Sequence, residues 1–382
     1  MIYAFDYATL KLIWWLFVGV LLVGFAILDG FDLGVGALLP FVGRSDVERR
    51  VMINAIGPTW EGNQVWFITA GAGTFAAWPL VYATAFSGLY VALILTLFAL
   101  FFRPVGIEYR SKVEDPRWRN VWDWGLCVGG AVPALIFGVA FGNLLQGVPF
   151  HFDADQRVYY TGSFFGLLNP FALLSGIVSL SMLIMHGAIY LQLRTDGAVR
   201  SRAKFAALVC GCVFLVAFAL AGIWVARGID AFHILTMPSP DSAFVPQAKT
   251  VERLRGGWLG NYAQYPWMML APVLAFGATL LALAASRLGR AGIGFVLSSL
   301  GVAGVVLTAG FAMFPFVLPS SSDPRSSLTA YDAVSSHRTL QIMFWVVVLF
   351  LPLVIAYSSW AYRVMRGTVT EQKVREGGRH MY

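Results

Sequence analysis

The sequence predicts an all-α polytopic membrane protein with about nine transmembrane helices, arranged as two four-helix bundles plus one extra helix. Two observations lead to this fold class. Of the 382 residues, 58% are hydrophobic and only 12% are charged, about half the charged fraction of a soluble protein. The apolar residues also fall in long blocks, and about 20 such residues cross a bilayer as a helix. We therefore expect a single integral membrane domain over residues 1–382.

Nine apolar segments alternate with polar connections along the chain. They cover residues 10–31, 53–76, 80–102, 122–146, 164–193, 203–226, 266–285, 292–317 and 338–362. An odd number of crossings places the two termini on opposite sides of the bilayer. The longest connection, 227–265, is predicted to be a long periplasmic loop, and VERLRGGWLGNY within it to be a short amphipathic helix on the membrane surface.

The distribution of positive charge predicts the orientation. Most of the 27 Lys and Arg residues fall in alternate connections and in the C-terminal tail. Cytoplasmic loops are enriched in these residues, so we expect a periplasmic N-terminus and a cytoplasmic C-terminus. The charges lie at the ends of apolar segments and not in a patch with interleaved aromatics, so the net charge of +7 indicates a lipid bilayer and no nucleic acid as the partner.

Three carboxylates interrupt the first two apolar segments. Asp29 and Asp32 lie in LDGFDLGVG, and Glu61 lies in MINAIGPTWEGNQVW. Acids inside membrane segments are rare and usually functional. We expect Glu61 about 12 Å along the second helix. Asp29 and Asp32 share one helix face near the cytoplasmic end of the first helix. Their role is either functional or structural, as hydrogen-bond partners of a neighbouring helix.

A further acid and base follow in the cytoplasmic connection FFRPVGIEYRSK. Glu108 and Lys112 are spaced i, i+4, on the same side of the membrane as Glu61. A series of titrating groups from a mouth into the bilayer is what proton conduction requires, because each group must take up and release a proton. The alternative for Glu108 and Lys112 is a solvated pair on a helix face.

Other chemistries find little support. His186, in LIMHGAIY, could be a haem ligand, but a single histidine is more often hydrogen-bonded between helices. Metal-ligand spacing, a Walker motif and a nucleophile elbow are all missing from the sequence, so no metal is expected. A proton-coupled secondary transporter would also explain buried acids and is the alternative function.

The chain resembles subunit II of the cytochrome bd-type quinol oxidases, including the cyanide-insensitive branch. The resemblance runs nearly from end to end. It rests on IWWLFVGVLLVGFAILDGFDLGVG, RRVMINAIGPTWEGNQVWFITAGAGTFAAWP, FRPVGIEYRSK, WDWGLCVGG, FGNLLQGVPF and TAGFAMFPFVLPSS.

The resemblance implies a non-haem subunit of a complex in a bacterial inner membrane. The complex oxidises quinol and reduces O2 to water, generating proton motive force. Subunit I would carry the two b-type haems and the d-type haem. This chain would bind no haem itself, and would supply part of the cytoplasmic proton route and of the oxygen access path. Some members hold a quinone in this subunit, and a small single-helix accessory subunit is a further partner to expect.

Four residues match positions with family roles. Glu61 matches the proton-path carboxylate of the W-acid-GNQVW motif, where many members have Asp. Glu108 and Lys112 match the acid and the lysine at the mouth of the proton path. Trp66 matches the tryptophan of the oxygen path.

The remaining motif positions have less defined roles. Trp60, Asn63 and Gln64 complete the motif around Glu61 and are expected to support it structurally. Asp29 and Asp32 match a DGFD pair, whose role is either in the proton path or structural.

Overall fold

A computed structural model describes residues 4–243, 246–377 and 381–382. Helices dominate it, as long apolar segments dictate in a medium where every backbone polar group must be paired internally. The α-helices are α1 (Tyr7–Val42), α2 (Asp46–Ile56), α3 (Trp60–Ala77), α4 (Pro79–Gly88), α5 (Tyr90–Tyr109), α6 (Pro116–Gln146), α7 (Pro170–Arg194), α8 (Gly197–Gly228), α9 (Gly260–Gln264), α10 (Leu270–Arg287), α11 (Ala291–Met313), α12 (His337–Val364) and α13 (Glu371–Gly377).

Eight of these helices are long and apolar enough to cross a membrane: α1, α5, α6, α7, α8, α10, α11 and α12. The remaining predicted segment, 53–76, contains α3, which has 18 residues and whose first turns contain Glu61, Asn63 and Gln64. These polar residues make α3 less apolar than the other eight. The fold is therefore the expected all-α polytopic one, with roughly nine spans.

The helices form two groups of four. In the first group α1 contacts α3 and α6, and α6 contacts α5. In the second, α7 contacts α8, and α10 contacts α11; α11 also packs on α7, and α10 on α8. Helices α1 and α6 join the groups because both contact α7, while α12 lies against α1 and α3. Buried polar groups on α1 therefore face several helices at once.

The two ends of the helix assembly differ. Three antiparallel hairpins lie at one end, which we call the hairpin end; they pair β1 (Phe150–Phe152) with β2 (Val158–Tyr160), β3 (Asp230–Thr236) with β4 (Thr250–Arg255), and β5 (Phe316–Leu318) with β6 (Leu328–Thr329). The opposite end, which we call the mouth end, contains Val42, Trp60, Tyr109 and Arg194. The first turns of α1 are fixed at the hairpin end, because Lys11 Nζ donates to the carbonyls of Pro240, Ser242 and Tyr331.

Three local expectations are wrong. Helix α1 does not end near residue 31 but continues to Val42, because its glycines serve close helix packing instead of breaking the helix. The segment 53–76 is not one helix: Gly57–Thr59 separates α2 from α3, where Pro58 has no N–H to donate. VERLR is not helical, since it forms strand β4 and pairs with β3.

Glycines on α1 allow the two groups of helices to approach closely. A Cβ on Gly34 would overlap the backbone carbonyl of Leu183 in α7, and Gly187 approaches the same point from α7. On the other side of α1, Gly36 lies against the carbonyl of Leu126 in α6. Small residues at helix contacts are the usual way for membrane helices to approach.

We predict that Gly34→Ala lowers the stability of the folded protein by about 1–3 kcal/mol, since the new methyl group meets backbone and not a movable side chain. Gly19→Ala on the same helix is the matched control, because a Cβ there meets nothing within 4 Å. The measurement is thermal unfolding of the purified variants in detergent. Equal midpoints for both variants would contradict the close contact.

Candidate functional site

Asp29 forms a buried ion pair with Arg103 across two helices. The Arg103 guanidinium donates from Nη2 to Asp29 Oδ1 at 2.5 Å and from Nη1 to Asp29 Oδ2 at 3.0 Å. Both side chains are almost inaccessible, with 3% and 1% exposure. The guanidinium also lies 5.5 Å from the ring centroid of Trp60, a cation–π distance. Both oxygens of Asp29 are thus occupied by a permanent cation.

Asp32 has a different environment although it lies one turn further along α1. Asn63 Nδ2 donates to Asp32 Oδ2 at 2.7 Å, and the Tyr362 hydroxyl donates to Asn63 Oδ1 at 2.5 Å. Asp32 Oδ1 is buried without a hydrogen-bond partner among the described residues. A buried carboxylate is costly unless it is paired, so this bare oxygen is a position that can accept a proton.

Glu61 lies in the first turn of α3, two residues before Asn63. Its side chain is exposed in the isolated chain. The N-terminus of a helix carries partial positive charge and favours a carboxylate there. Asn63, which is 2% exposed, lies in the same turn of α3 as Glu61 and donates a hydrogen bond to Asp32. This turn therefore has the exposed Glu61 on one side and the buried Asp32 on the other.

Glu108 and Lys112 lie at the mouth end, but they are not paired. Helix α5 ends at Tyr109, and residues 110–112 form a tighter turn, so the i, i+4 spacing does not place both side chains on one α-helical face. Of the ion pairs found between described residues, none joins Glu108 to Lys112, and Lys112 is exposed.

Glu108 instead faces Tyr382. The pKa of the Tyr382 phenol is raised, mainly by burial. The charge of Glu108, a hydrogen bond to Glu108 and the charge of Glu61 raise it further, in this order. Asn54 positions Tyr382, since its amide donates to the Tyr382 carbonyl at 2.7 Å and accepts from the Tyr382 N–H at 3.0 Å. Both Glu108 and Glu61 therefore act on the Tyr382 phenol. The spacing of these residues in the sequence does not predict this.

A second ion network supports the mouth end and was missed by sequence reasoning. Arg110 donates to Asp123 at 2.5 Å, and Arg49 donates to the other Asp123 oxygen at 2.6 Å. Arg110 also pairs with Asp46 at 2.9 Å. Asp123 and Arg110 are 0% and 1% exposed. The signal in the sequence is an acid at the start of the apolar segment 122–146, whereas arginines at the ends of apolar segments by themselves indicate only topology.

Glu48 ties α2 to α8 at the same end. Its carboxylate accepts from the N–H groups of Arg44 and Ser45 at 2.7 and 3.0 Å and pairs with Arg202 at 2.5 Å. Burial opposes ionisation of Glu48, but Arg202 and the two amides outweigh it and lower the pKa of the carboxyl group.

We predict that Glu48→Gln lowers stability by on the order of 1 kcal/mol at neutral pH, because a partly screened charge-assisted contact is lost. The folded-state pKa lies below the unfolded value of about 4.3. The contribution of Glu48 is therefore full above that value and disappears as the pH falls through the folded-state pKa. Thermal unfolding of both proteins at pH 7 and at low pH measures this, and a difference that grows on acidification would contradict it.

Trp66, Gln64 and His186 have defined places. The Trp66 ring is partly buried and covers Gly24 of α1, and Gln64 is half-buried. His186 is fully buried, with Nδ1 2.8 Å from Ser298 Oγ and Nε2 3.0 Å from the Ile27 carbonyl. Both ring nitrogens are thus hydrogen-bonded between helices.

An apolar cavity of about 710 Å³ lies among the helices, towards the hairpin end. Its walls come from α1, α3, α6, α7, α8, α10 and α11, and they include Phe25, Phe67, Phe137, Met182 and Phe218. A cavity of this size and lining is typical of sites for apolar molecules. Its lining includes Phe67, which follows Trp66 in α3. In the part of the chain that the structure describes, no group of three or more His, Cys, Asp or Glu could hold a metal ion.

The fold and site define a multi-pass membrane protein with buried, partly unpaired carboxylates. The family model described as "Cytochrome bd terminal oxidase subunit II" matches residues 10–365, and the chain belongs to this family. It is 53% identical over 377 residues to the cytochrome bd-I ubiquinol oxidase subunit 2 of Escherichia coli K12, covering 99% of this chain and 100% of that protein.

Other relatives agree. The probable cytochrome oxidase subunit 2 of Haemophilus influenzae is 50% identical over 99% of this chain and 100% of its own length. The cytochrome bd ubiquinol oxidase subunit 2 of Bacillus subtilis is 33% identical over 96% and 98%. A chain of the bd oxidase from Geobacillus thermodenitrificans has the same fold, with a TM-score of 0.69 at 16% identity, covering 93% of this chain and 98% of that one.

The chain is therefore a subunit of a bd-type terminal oxidase, an oxidoreductase complex of a bacterial inner membrane, and it has a subunit I partner. The family implies haems in that complex. The alternative of a proton-coupled transporter finds no support in these relatives.

Proposed function

We propose that this chain is the haem-free subunit of a complex that oxidises quinol and reduces O2, and that it conducts protons toward the haems of subunit I. Reduction of O2 to water consumes as many protons as electrons, so a membrane-embedded haem site needs a proton supply. The observation that carries the proposal is the connection from exposed Glu61 through Asn63 to buried, half-paired Asp32.

The proposed route starts at the mouth end. Glu108 collects protons there beside Tyr382, with Lys112 as an exposed positive charge at the opening. Glu61 is the inner relay, since its charge acts on the same Tyr382 phenol and its helix turn contacts Asp32 through Asn63. A relay carboxylate must take up and release a proton. Glu61 is exposed at the surface of the isolated chain, and Asp32 has an oxygen without a hydrogen-bond partner.

Asp29 has a structural role in this proposal. Its two oxygens are both held by Arg103, a cation that does not release its proton in proteins. The Asp29–Arg103 pair fixes α1 to α5 and holds Trp60 at the start of α3. The pair thereby positions the turn that carries Glu61, and the proton passes by way of Asp32 and not Asp29.

The haems belong on subunit I in this proposal. His186 is the buried histidine of the described residues, and neither of its ring nitrogens has a free position for iron. Among the described residues, this histidine thus offers no open ligand position to a haem. Haem b, in two copies, and haem d are expected on the partner.

Subunit I is proposed to cover the outer face of α3. Glu61 is exposed there together with apolar Val65 and Ile68, which are 52% and 62% exposed. An ionisable group is costly against hydrocarbon, whereas it is tolerated against protein or water. Coverage by subunit I removes this cost and places Glu61 at the interface between the two subunits.

The apolar cavity is proposed to hold the isoprenoid part of a quinone, and the oxygen access path is proposed to run past Trp66 beside it. The lining is mostly aromatic and aliphatic, which suits a chain without polar atoms. This role is separate from the proton route, because the cavity lies further from the mouth end than Glu61.

The mouth end is proposed to face the cytoplasm. Its connections and the helix turns next to them contain Arg44, Arg49, Arg110, Arg119 and Arg202, in agreement with the enrichment of Lys and Arg on the cytoplasmic side. The N-terminus is then periplasmic and the C-terminus cytoplasmic, and protons for water formation come from the cytoplasm.

The test is purification of the complex through an affinity tag on this chain, co-produced with its haem-bearing partner. We expect a visible spectrum with b- and d-type haem bands and quinol-dependent O2 consumption from the complex, and no haem absorbance from this chain purified alone. Haem retained by the chain alone would contradict the proposal, as would a co-purified complex that does not consume O2 with quinol.

A further inference from the structure

A second cavity lies at the mouth end, away from the candidate proton route. Its volume is about 580 Å³, and three connections enclose it: the α7–α8 turn, the α10–α11 turn and the segment that follows α12. Two hydrogen bonds hold these connections together. Val369 N–H donates to the Arg194 carbonyl at 2.8 Å, and Arg200 Nη2 donates to the Gly289 carbonyl at 3.2 Å. The cavity is therefore built by contacts between distant parts of the chain.

The lining contains two arginines and one acid. Arg200 and Arg290 contribute positive charge, and Asp196 is the opposing carboxylate. Arg200 is partly exposed, and its Nη2 is anchored on the Gly289 carbonyl. A guanidinium that is fixed in place by one N–H group and has further N–H groups is suited to bind a phosphate oxygen.

Backbone donors converge on the same space. Helix α11 has 23 residues and begins at Ala291 without a side-chain cap, so its first N–H groups lack partners from a cap. A Cβ on Gly292 would meet only Leu193 Cδ1, at 4.0 Å, so there is room in front of this turn. Helix N-termini and arginines together are a recurrent arrangement for phosphate groups.

The surroundings favour a lipid as the carrier of the phosphate. Leu193 lines the cavity and is 40% exposed, and Leu288 beside it is 75% exposed. These side chains lie at the ends of membrane-spanning helices, where acyl chains end and headgroups begin.

We propose that this cavity binds the phosphate group of an anionic phospholipid headgroup. Arg200, Arg290 and the first N–H groups of α11 are the donors, and Leu193 contacts the acyl chain. This binding site goes beyond the proton route, from which it is separate. The proposed orientation of the chain decides only whether the bound lipid lies in the cytoplasmic or in the periplasmic leaflet.

The test uses the purified complex in nanodiscs of phosphatidylglycerol and phosphatidylcholine, with native mass spectrometry of the lipid that stays bound. We expect selective retention of phosphatidylglycerol. Arg200→Gln and Arg290→Gln should each weaken it roughly tenfold, the value of one charge-assisted contact. Arg287→Gln is the matched control, because Arg287 is an exposed arginine at the same membrane end that does not line the cavity.

Two further variants separate binding from a general structural effect. Gly292→Leu fills the cavity without a change of charge and should abolish retention, whereas Asp196→Asn removes the opposing carboxylate and should strengthen it. Each variant is compared at unchanged haem spectrum and size-exclusion profile, which shows that the complex is assembled. Because oxygen reduction is measured separately, the result does not depend on the proton route.

Inorganic phosphate distinguishes the source of the phosphate group. If phosphate alone raises the unfolding temperature of lipid-depleted complex, and Arg200→Gln removes this effect, the site binds the phosphate chemistry proposed, with the free ion as a second source. Equal phosphatidylglycerol retention in the parent complex, Arg200→Gln, Arg290→Gln and Gly292→Leu would overturn the proposal.

Discussion

Glu61→Gln is expected to reduce quinol-driven O2 consumption by about 100-fold while the haem spectrum stays unchanged. The glutamine keeps the size of the side chain but cannot take up a proton, and losses of this order are typical when a positioned proton-transfer group is removed. Haem content should stay unchanged because glutamine keeps the size of the side chain and Glu61 is exposed in this chain. The measurement is O2 uptake by the purified complex with a soluble quinol.

Two controls accompany this variant. Glu61→Asp retains a carboxylate and should lose much less activity, since its side chain can still take up and release a proton. Glu252→Gln removes an exposed carboxylate of strand β4 at the hairpin end and should leave the rate unchanged. Full turnover in Glu61→Gln would show that protons reach the haems by another route.

Arg103→Gln is expected to destabilise the protein by about 3–5 kcal/mol, because it leaves the Asp29 carboxylate buried without a cation. The pair is 3% and 1% exposed, so water cannot replace the lost partner. The variant should give little assembled complex. Thermal unfolding in detergent and the yield of complex with haem measure the effect.

The double variant Asp29→Asn with Arg103→Gln makes this test specific. It removes both charges, so much of the stability should return, whereas loss of an arginine needed only for its bulk would not be rescued. Arg119→Gln is the matched control: its ion pair with Asp46 is 22% and 38% exposed, and such pairs contribute at most about 1 kcal/mol. If Arg103→Gln were no more destabilising than Arg119→Gln, the buried pair would not be structural.

The proposed division of roles between Asp29 and Asp32 follows from their partners and not from their positions. The two acids are one turn apart on α1, yet one contacts α5 and the other α3. Oxygen reduction should therefore respond to Asp32→Asn and assembly to Arg103→Gln.

The sequence by itself determined the class of protein and most of the candidate residues. Long apolar blocks have only one stable form in a bilayer, so the spans of α1, α5, α6, α7 and α8 follow from composition. The motif around Glu61 identified the family, because its order of aromatic, acidic and amide residues is rarely repeated by chance.

Only the tertiary structure decided which charges are paired. Asp29 and Arg103 are 74 positions apart, as are Arg49 and Asp123, and no local spacing relates such residues. The i, i+4 rule in turn suggested a Glu108–Lys112 pair that the end of α5 at Tyr109 prevents. The physical reason is that a buried charge is stable only beside an opposite charge. The packing of the helices decides which opposite charge lies close enough.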